Sequence, residues 1–168
     1  APLKPDPDRY EHKFEHCDIL VVGSGPSGLA SALSAAKNGA RVILAEDKPK
    51  FGGSLLTDQV TIGNKTGKEW ANETIEQLKS MPNVVVKNRS QVFGYYDHNM
   101  MVMFERTKDH IESPNKYTPR QKLWYIRAKE ILISTGSIER PLIFGNNDRP
   151  GILLASAAKE YIKKYGVL

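Results

Sequence analysis

Three glycines followed by an acid carry the chemistry most readily read from this chain. Gly23, Gly25 and Gly28 have the G-x-G-x-x-G spacing, and Glu46 falls 18 residues after the last of them. The pattern holds a dinucleotide; it does not itself break a bond. Gly23 lets the chain turn sharply. Gly25, without a Cβ, lets backbone approach a pyrophosphate, and Gly28 lets the next helix pack closely. The helix N-terminus then offers free N–H groups and the positive end of its dipole to the phosphates. A carboxylate at position 46 can accept both hydroxyls of an adenosine ribose. It also repels a 2′-phosphate, which favours NAD over NADP, although Lys48 softens that repulsion. The plainer alternative is a flexible glycine loop before an ordinary helix, with Glu46 merely solvated.

The flanking elements fall where such a site needs them. Residues 19–22 are apolar and β-branched, hence strand-like. Leu29, Ala32, Leu33 and Ala36 recur at helical spacing, and Gly39 closes that helix. Residues 42–45 read as a second strand ending on Glu46. The pair Gly52-Gly53 marks a tight loop that can pass back over a cofactor. A helix over 65–78 and a strand over 84–87 come next. Strands over 90–96, 100–106 and 123–128 form an antiparallel meander. Residues 130–134, EILIS, form another core strand that runs into Thr135-Gly136-Ser137. The last helix spans 155–165 and stops at Gly166.

A meander in place of a helical crossover gives the fold expectation. It is an α/β, FAD/NAD(P)-binding Rossmann-like domain with a central parallel sheet and a three-stranded meander. Residues 1–16, with Pro2, Pro5 and Pro7, read as an extended linker, which makes 17–168 the domain. No further apolar strand follows the last helix, so the domain reads as an incomplete piece with an open sheet edge.

Composition narrows the field. The chain has 168 residues, 40% hydrophobic and 26% charged, with a net charge of +5. Basic residues are interleaved with acids, which argues against a nucleic-acid partner. No apolar run reaches membrane-spanning length and no signal peptide is apparent, so the expectation is cytoplasmic. Cys17 is the single cysteine, which removes a C-x-x-C redox mechanism. His12 and His16, beside Asp8 and Glu11, read as solvated linker rather than metal ligands. His98 and His110 read as turn residues. No metal site is expected and no catalytic residue can be named.

Residues 5–56 and 131–168 resemble the alpha subunits of heterotetrameric sarcosine oxidases, through runs such as CDILVVGSGPSGLASALSAAKNGARVILAEDKPKFGGSLL and ILISTGSIERPLIFGNNDRPGILL. The family protein is longer. The resemblance implies an oxidoreductase subunit, acting with beta, gamma and delta subunits. The assembly oxidises sarcosine to glycine, with formaldehyde passed to tetrahydrofolate and hydrogen peroxide released. It also implies FAD and FMN elsewhere in the complex, and NAD in an FAD-like site here. Carried over, Gly23, Ser24, Gly25, Pro26, Ser27 and Gly28 line the pyrophosphate. Glu46, Asp47 and Lys48 lie at the ribose, with Gly53, Ser54, Leu55 and Thr135, Gly136, Ser137 nearby. Val92 offers backbone to the adenine. Amine and opine dehydrogenase subunits share these features. Two other readings use the same motif: an FAD-dependent NAD(P)H oxidoreductase, and a docking module with a purely structural nucleotide.

Overall fold

The computed structural model describes residues 3–167. Ala1 and Pro2 of the expected linker, and Leu168 at the end of the expected domain, lie outside the described residues. In chain order, Tyr10–Val22 is β1, Pro26–Lys37 is α1 and Val42–Ala45 is β2. A 3-10 turn, Gly53–Leu56, precedes a small hairpin of β3 (Thr61–Ile62) and β4 (Lys65–Thr66). Then come α2 (Gly67–Ser80), β5 (Val84–Lys87), β6 (Ser90–Tyr96), β7 (Met100–Arg106) and β8 (Gln121–Ile133). A short helix α3, Ala155–Glu160, runs into a π turn over Tyr161–Tyr165.

One six-stranded sheet, in the order β5-β2-β1-β8-β7-β6, organises the whole. β5, β2, β1 and β8 are parallel; β8, β7 and β6 form the antiparallel meander. Every residue of β2 is buried, as expected of a parallel strand covered on both faces. On one face Leu29, Ala32 and Ala36 of α1 and Ala71, Ile75 and Leu78 of α2 pack on Val21, Val42 and Leu44. On the other, Leu20, Ile43 and Ala45 meet Met101 and Met103 of β7 and Ile126 and Ala128 of β8. The sheet curls enough for the start of β6 to reach the end of β2. There the Ser90 N–H donates to the Glu46 carbonyl oxygen at 2.8 Å.

Two expectations are corrected. Residues 10–16 are strand, not linker: β1 pairs with β8 from Tyr10↔Gln121 onward. The prolines that suggested a linker end at Pro7, and alternation of Tyr10, His12 and Phe14 with charged neighbours is a strand pattern. The arm before β1 is tied down by Asp8, which pairs with Lys108 at 2.7 Å and Arg120 at 3.0 Å. The second correction concerns 123–128 and 130–134, which are one continuous strand, β8. Polar residues around Lys129 suggested a break. The pairing of β1 with β8 does skip from Cys17↔Ala128 to Ile19↔Glu130. At the skip Asp18 is paired with Lys129 at 2.9 Å and with Arg41 at 3.2 Å.

Helix ends follow local chemistry. α2 begins at Gly67 rather than Lys65 because Thr66 caps it. Its hydroxyl accepts from the Glu69 N–H, and Glu69 accepts in return from the Thr66 N–H, a capping box. The last helical stretch runs over 155–165 as expected, its second half a π turn, and it ends at Gly166, which is left-handed at φ 67°.

Candidate functional site

The glycine loop sits at the carboxyl ends of the parallel strands, where open α/β sheets place their ligands. The chain leaves β1 at Val22 and turns at Gly23 with φ 97°. A Cβ on Gly23 would lie 2.4 Å from the Ser134 carbonyl oxygen, and one on Gly28 only 2.0 Å from the Gly23 carbonyl oxygen. Packing therefore demands glycine at both positions. Gly25 differs. Its φ of −65° and ψ of −177° suit any residue, and no atom lies within 4 Å of where its Cβ would be. Its missing side chain leaves an open space at the mouth of α1.

That helix starts with Pro26 at its first position and has no side-chain cap. The N–H groups of Ser27 and Gly28 have no acceptor within the helix. The Gly52-Gly53 loop packs on this turn. The Gly52 N–H donates to the Ser24 carbonyl oxygen at 3.0 Å, and a Cβ on Gly53 would lie 2.8 Å from the Gly25 Cα.

Glu46 closes the arrangement and is only 7% exposed. Its Oε2 accepts from the Ser24 N–H at 2.9 Å and from the Ser24 hydroxyl; its Oε1 accepts from the Lys48 N–H at 3.0 Å. Burial raises the carboxyl above its ordinary pKa, and the Asp47 carboxyl adds to this, while the Ser24 and Lys48 donors act the other way. Ser24 is fully buried, with both of its donors turned to Oε2 of Glu46.

The other expected residues divide by position. The Asp47 carbonyl oxygen accepts from the Arg106 guanidinium at 2.8 Å, and the Lys48 ammonium lies 3.7 Å from Glu160. Ser54 follows Gly53 within the 3-10 turn. Leu55 is a core residue packed with the side chains of α2. Thr135 follows Ser134 directly beside Gly23, its nitrogen 3.2 Å from the would-be Gly23 Cβ; Gly136 and Ser137 run on exposed. Val92 pairs with Met103 and turns its side chain into the core beneath the meander. The sequence reading missed Ser90 and Ser134, whose N–H groups donate to the Glu46 and Val22 carbonyl oxygens at the strand ends. The position of Ser134 before Thr135-Gly136 was the available signal. Among the described residues no three metal-ligating side chains converge, and no helix is long and apolar enough to cross a membrane.

The arrangement brings helix N–H donors and a buried carboxylate to one end of the parallel strands. The family model of FAD dependent oxidoreductases matches residues 18–79. The chain is 47% identical over 167 residues to sarcosine oxidase subunit alpha of Rhizobium meliloti (strain 1021), covering 99% of this chain and 17% of that protein. It is 38% identical over 164 residues to sarcosine oxidase subunit alpha of Corynebacterium sp. (strain U-96), covering 96% and 17%. L-proline dehydrogenase from P. horikoshii superposes with a TM-score of 0.73 over 94% of this chain and 30% of that one. At 23% identity this likeness shows the fold.

Proposed function

Because the chain is related along nearly its whole length to the alpha subunits of sarcosine oxidase, we propose that it is the NAD-binding part of such a subunit. It spans 17% of the length of those relatives, so the reaction is a property of a larger assembly. In this reading beta, gamma and delta subunits complete a cytoplasmic enzyme. The beta subunit holds the flavin that oxidises sarcosine to glycine, formaldehyde goes to tetrahydrofolate, and hydrogen peroxide is released.

The observation that carries the binding reading is Gly25. Its backbone needs no glycine, yet the space beside it is open, at the start of the helix that carries the Ser27 and Gly28 N–H groups. A pyrophosphate occupies that kind of space. Glu46 lies one strand away to receive a ribose, and its carboxylate disfavours a 2′-phosphate. Bound NAD supplies a nicotinamide able to exchange a hydride. The residues of this chain hold the adenosine and pyrophosphate end.

FAD is the second reading, favoured by the match of residues 18–79 to FAD dependent oxidoreductases. It shares the adenosine and pyrophosphate with NAD. Mass spectrometry of the nucleotide released from purified protein separates them. NAD is expected. A yellow protein releasing FAD supports the second reading, and release of a nucleotide lacking an adenosine pyrophosphate contradicts both.

A further inference from the structure

The first half of β1 has a strand on one side only. β8 accompanies it from Tyr10 onward, but β2 joins only at Ile19. At that junction the Asp18 and Ile19 N–H groups both donate to the Arg41 carbonyl oxygen, at 2.9 and 3.1 Å. Among the described residues, 10–16 therefore form an open edge. The Arg120 N–H donates to the Arg9 carbonyl oxygen at 2.7 Å, so odd-numbered residues here turn their backbone to β8. Alternation then turns the backbone of Tyr10, His12, Phe14 and His16 to the open side. There the His16 N–H is met by the Glu15 carboxylate at 3.1 Å. Asp8 holds the preceding arm to Lys108 and Arg120, on the β8 side and away from the edge.

An open edge takes up another strand, and the charges along this one select which. Arg9, Glu11, Lys13 and Glu15 alternate in sign on one face. Laid antiparallel on itself about His12, the strand sets Arg9 opposite Glu15 and Glu11 opposite Lys13, each twice by symmetry. These are the non-hydrogen-bonded positions, where side chains come closest. On the other face Tyr10 falls opposite Phe14. They are 51% and 72% exposed, and aromatic cross-strand pairs stabilise a sheet. Centring the pair on Glu11 or on Lys13 instead would set that charge against its own copy. A lysine in mid-edge ordinarily blocks pairing; in the register centred on His12 it meets a carboxylate. We propose that residues 10–16 of β1 are a self-association edge, joining two copies of this chain through an antiparallel two-fold pair centred on His12.

The test is sedimentation equilibrium of the chain and its charge variants. The mass of the unaltered chain is expected to rise with concentration toward twice 18.8 kDa. Lys13→Glu and Glu11→Lys each set like charges opposite one another at two symmetric sites. Each is expected to raise the dimer dissociation constant about tenfold. Lys13→Glu combined with Glu11→Lys restores opposite charges and is expected to return it to within about threefold of the unaltered value. The double exchange does not rescue a pair centred on Phe14, which sets position 13 against Glu15.

A second measurement reads the register without altering a charge pair. Under mild oxidation His12→Cys is expected to give an interchain disulfide, because position 12 faces its own copy at about 5.5 Å between Cα atoms. Tyr10→Cys is not, because position 10 faces Phe14 of the other copy. Both changes fall on exposed side chains, and the native Cys17 is buried. A chain that stays monomeric at every concentration overturns the proposal. A dimer that both single charge reversals leave intact, or that the double exchange fails to restore, overturns it as well. Disulfide formation by Tyr10→Cys and not by His12→Cys overturns the register.

Discussion

At the scale of single residues, the glycine spacing has two physical origins. Gly23 and Gly28 are fixed by close packing, whereas Gly25 has open space where a Cβ would be. The sequence alone carries the spacing but cannot separate these reasons, because they depend on which carbonyl each Cβ would strike. Glu46 was legible as the acid at the end of β2. The orientation of its two oxygens was not, since that depends on a serine 22 residues away. Glu46→Gln replaces a charged acceptor with an amide that offers one acceptor oxygen and two donors. Loss of a charge-assisted hydrogen bond costs about 1–3 kcal/mol, roughly 5- to 150-fold in affinity for NAD. Burial and Asp47 raise the Glu46 carboxyl above its ordinary value of 4.5. Affinity in the unaltered protein therefore falls as pH drops through that raised value, while Glu46→Gln gives a flat profile over the same range. Calorimetry at a series of pH values reads both effects.

At the scale of elements, short strands bounded by turns were easy to read. β5, β6 and β7 fall where the alternation placed them. The hairpin between β6 and β7 turns through His98 and Asn99 at φ 58° and 52°, a primed turn suited to strand twist. β8 was harder, because it pairs in both senses within one sheet. Its first half pairs antiparallel with β7 while its whole length pairs in parallel with β1. Its composition therefore changes midway, and the change resembles a boundary. A clasp fixes the meander to the parallel strands. Lys87 of β5 lies 3.5 Å from Glu105 of β7 and 3.9 Å above the Trp124 ring of β8. The Trp124 indole donates to Glu105 at 2.6 Å. Glu105→Ala leaves Lys87 and the indole without their acceptor in a largely buried place. A loss of about 2–4 kcal/mol in unfolding free energy is expected by urea titration. A change below about 0.5 kcal/mol would show that the clasp holds nothing.

For the whole molecule, the apolar surface is unevenly spread. Ile138, Leu142 and Ile143 are 80–98% exposed, and Leu153 and Tyr165 about 60%. α3 buries none of its residues and is held by ion pairs, Lys159 with Asp58 and Glu160 with Lys48. β5 and β6 are edge strands. Contiguous exposed apolar groups mark surfaces that other protein covers, and open edges add pairing capacity. The exposed apolar groups and the two sheet edges are therefore expected to drive association. The chain by itself is expected to self-associate with rising concentration in light scattering, and Leu142→Glu with Ile143→Glu to reduce that association. A strictly monomeric chain at high concentration would contradict this inference.

The central claim is that a dinucleotide pyrophosphate fills the space beside Gly25. Titration of NAD into the unaltered chain and into Gly25→Val tests it most directly. A Cβ at position 25 meets nothing within 4 Å and the backbone there suits valine, at a helix-cap cost of about 1 kcal/mol. The account predicts saturable binding by the unaltered chain, micromolar or weaker, and no detectable binding by a Gly25→Val chain whose circular dichroism is unchanged. Equal NAD affinity in the two proteins would place the phosphates elsewhere and contradict it.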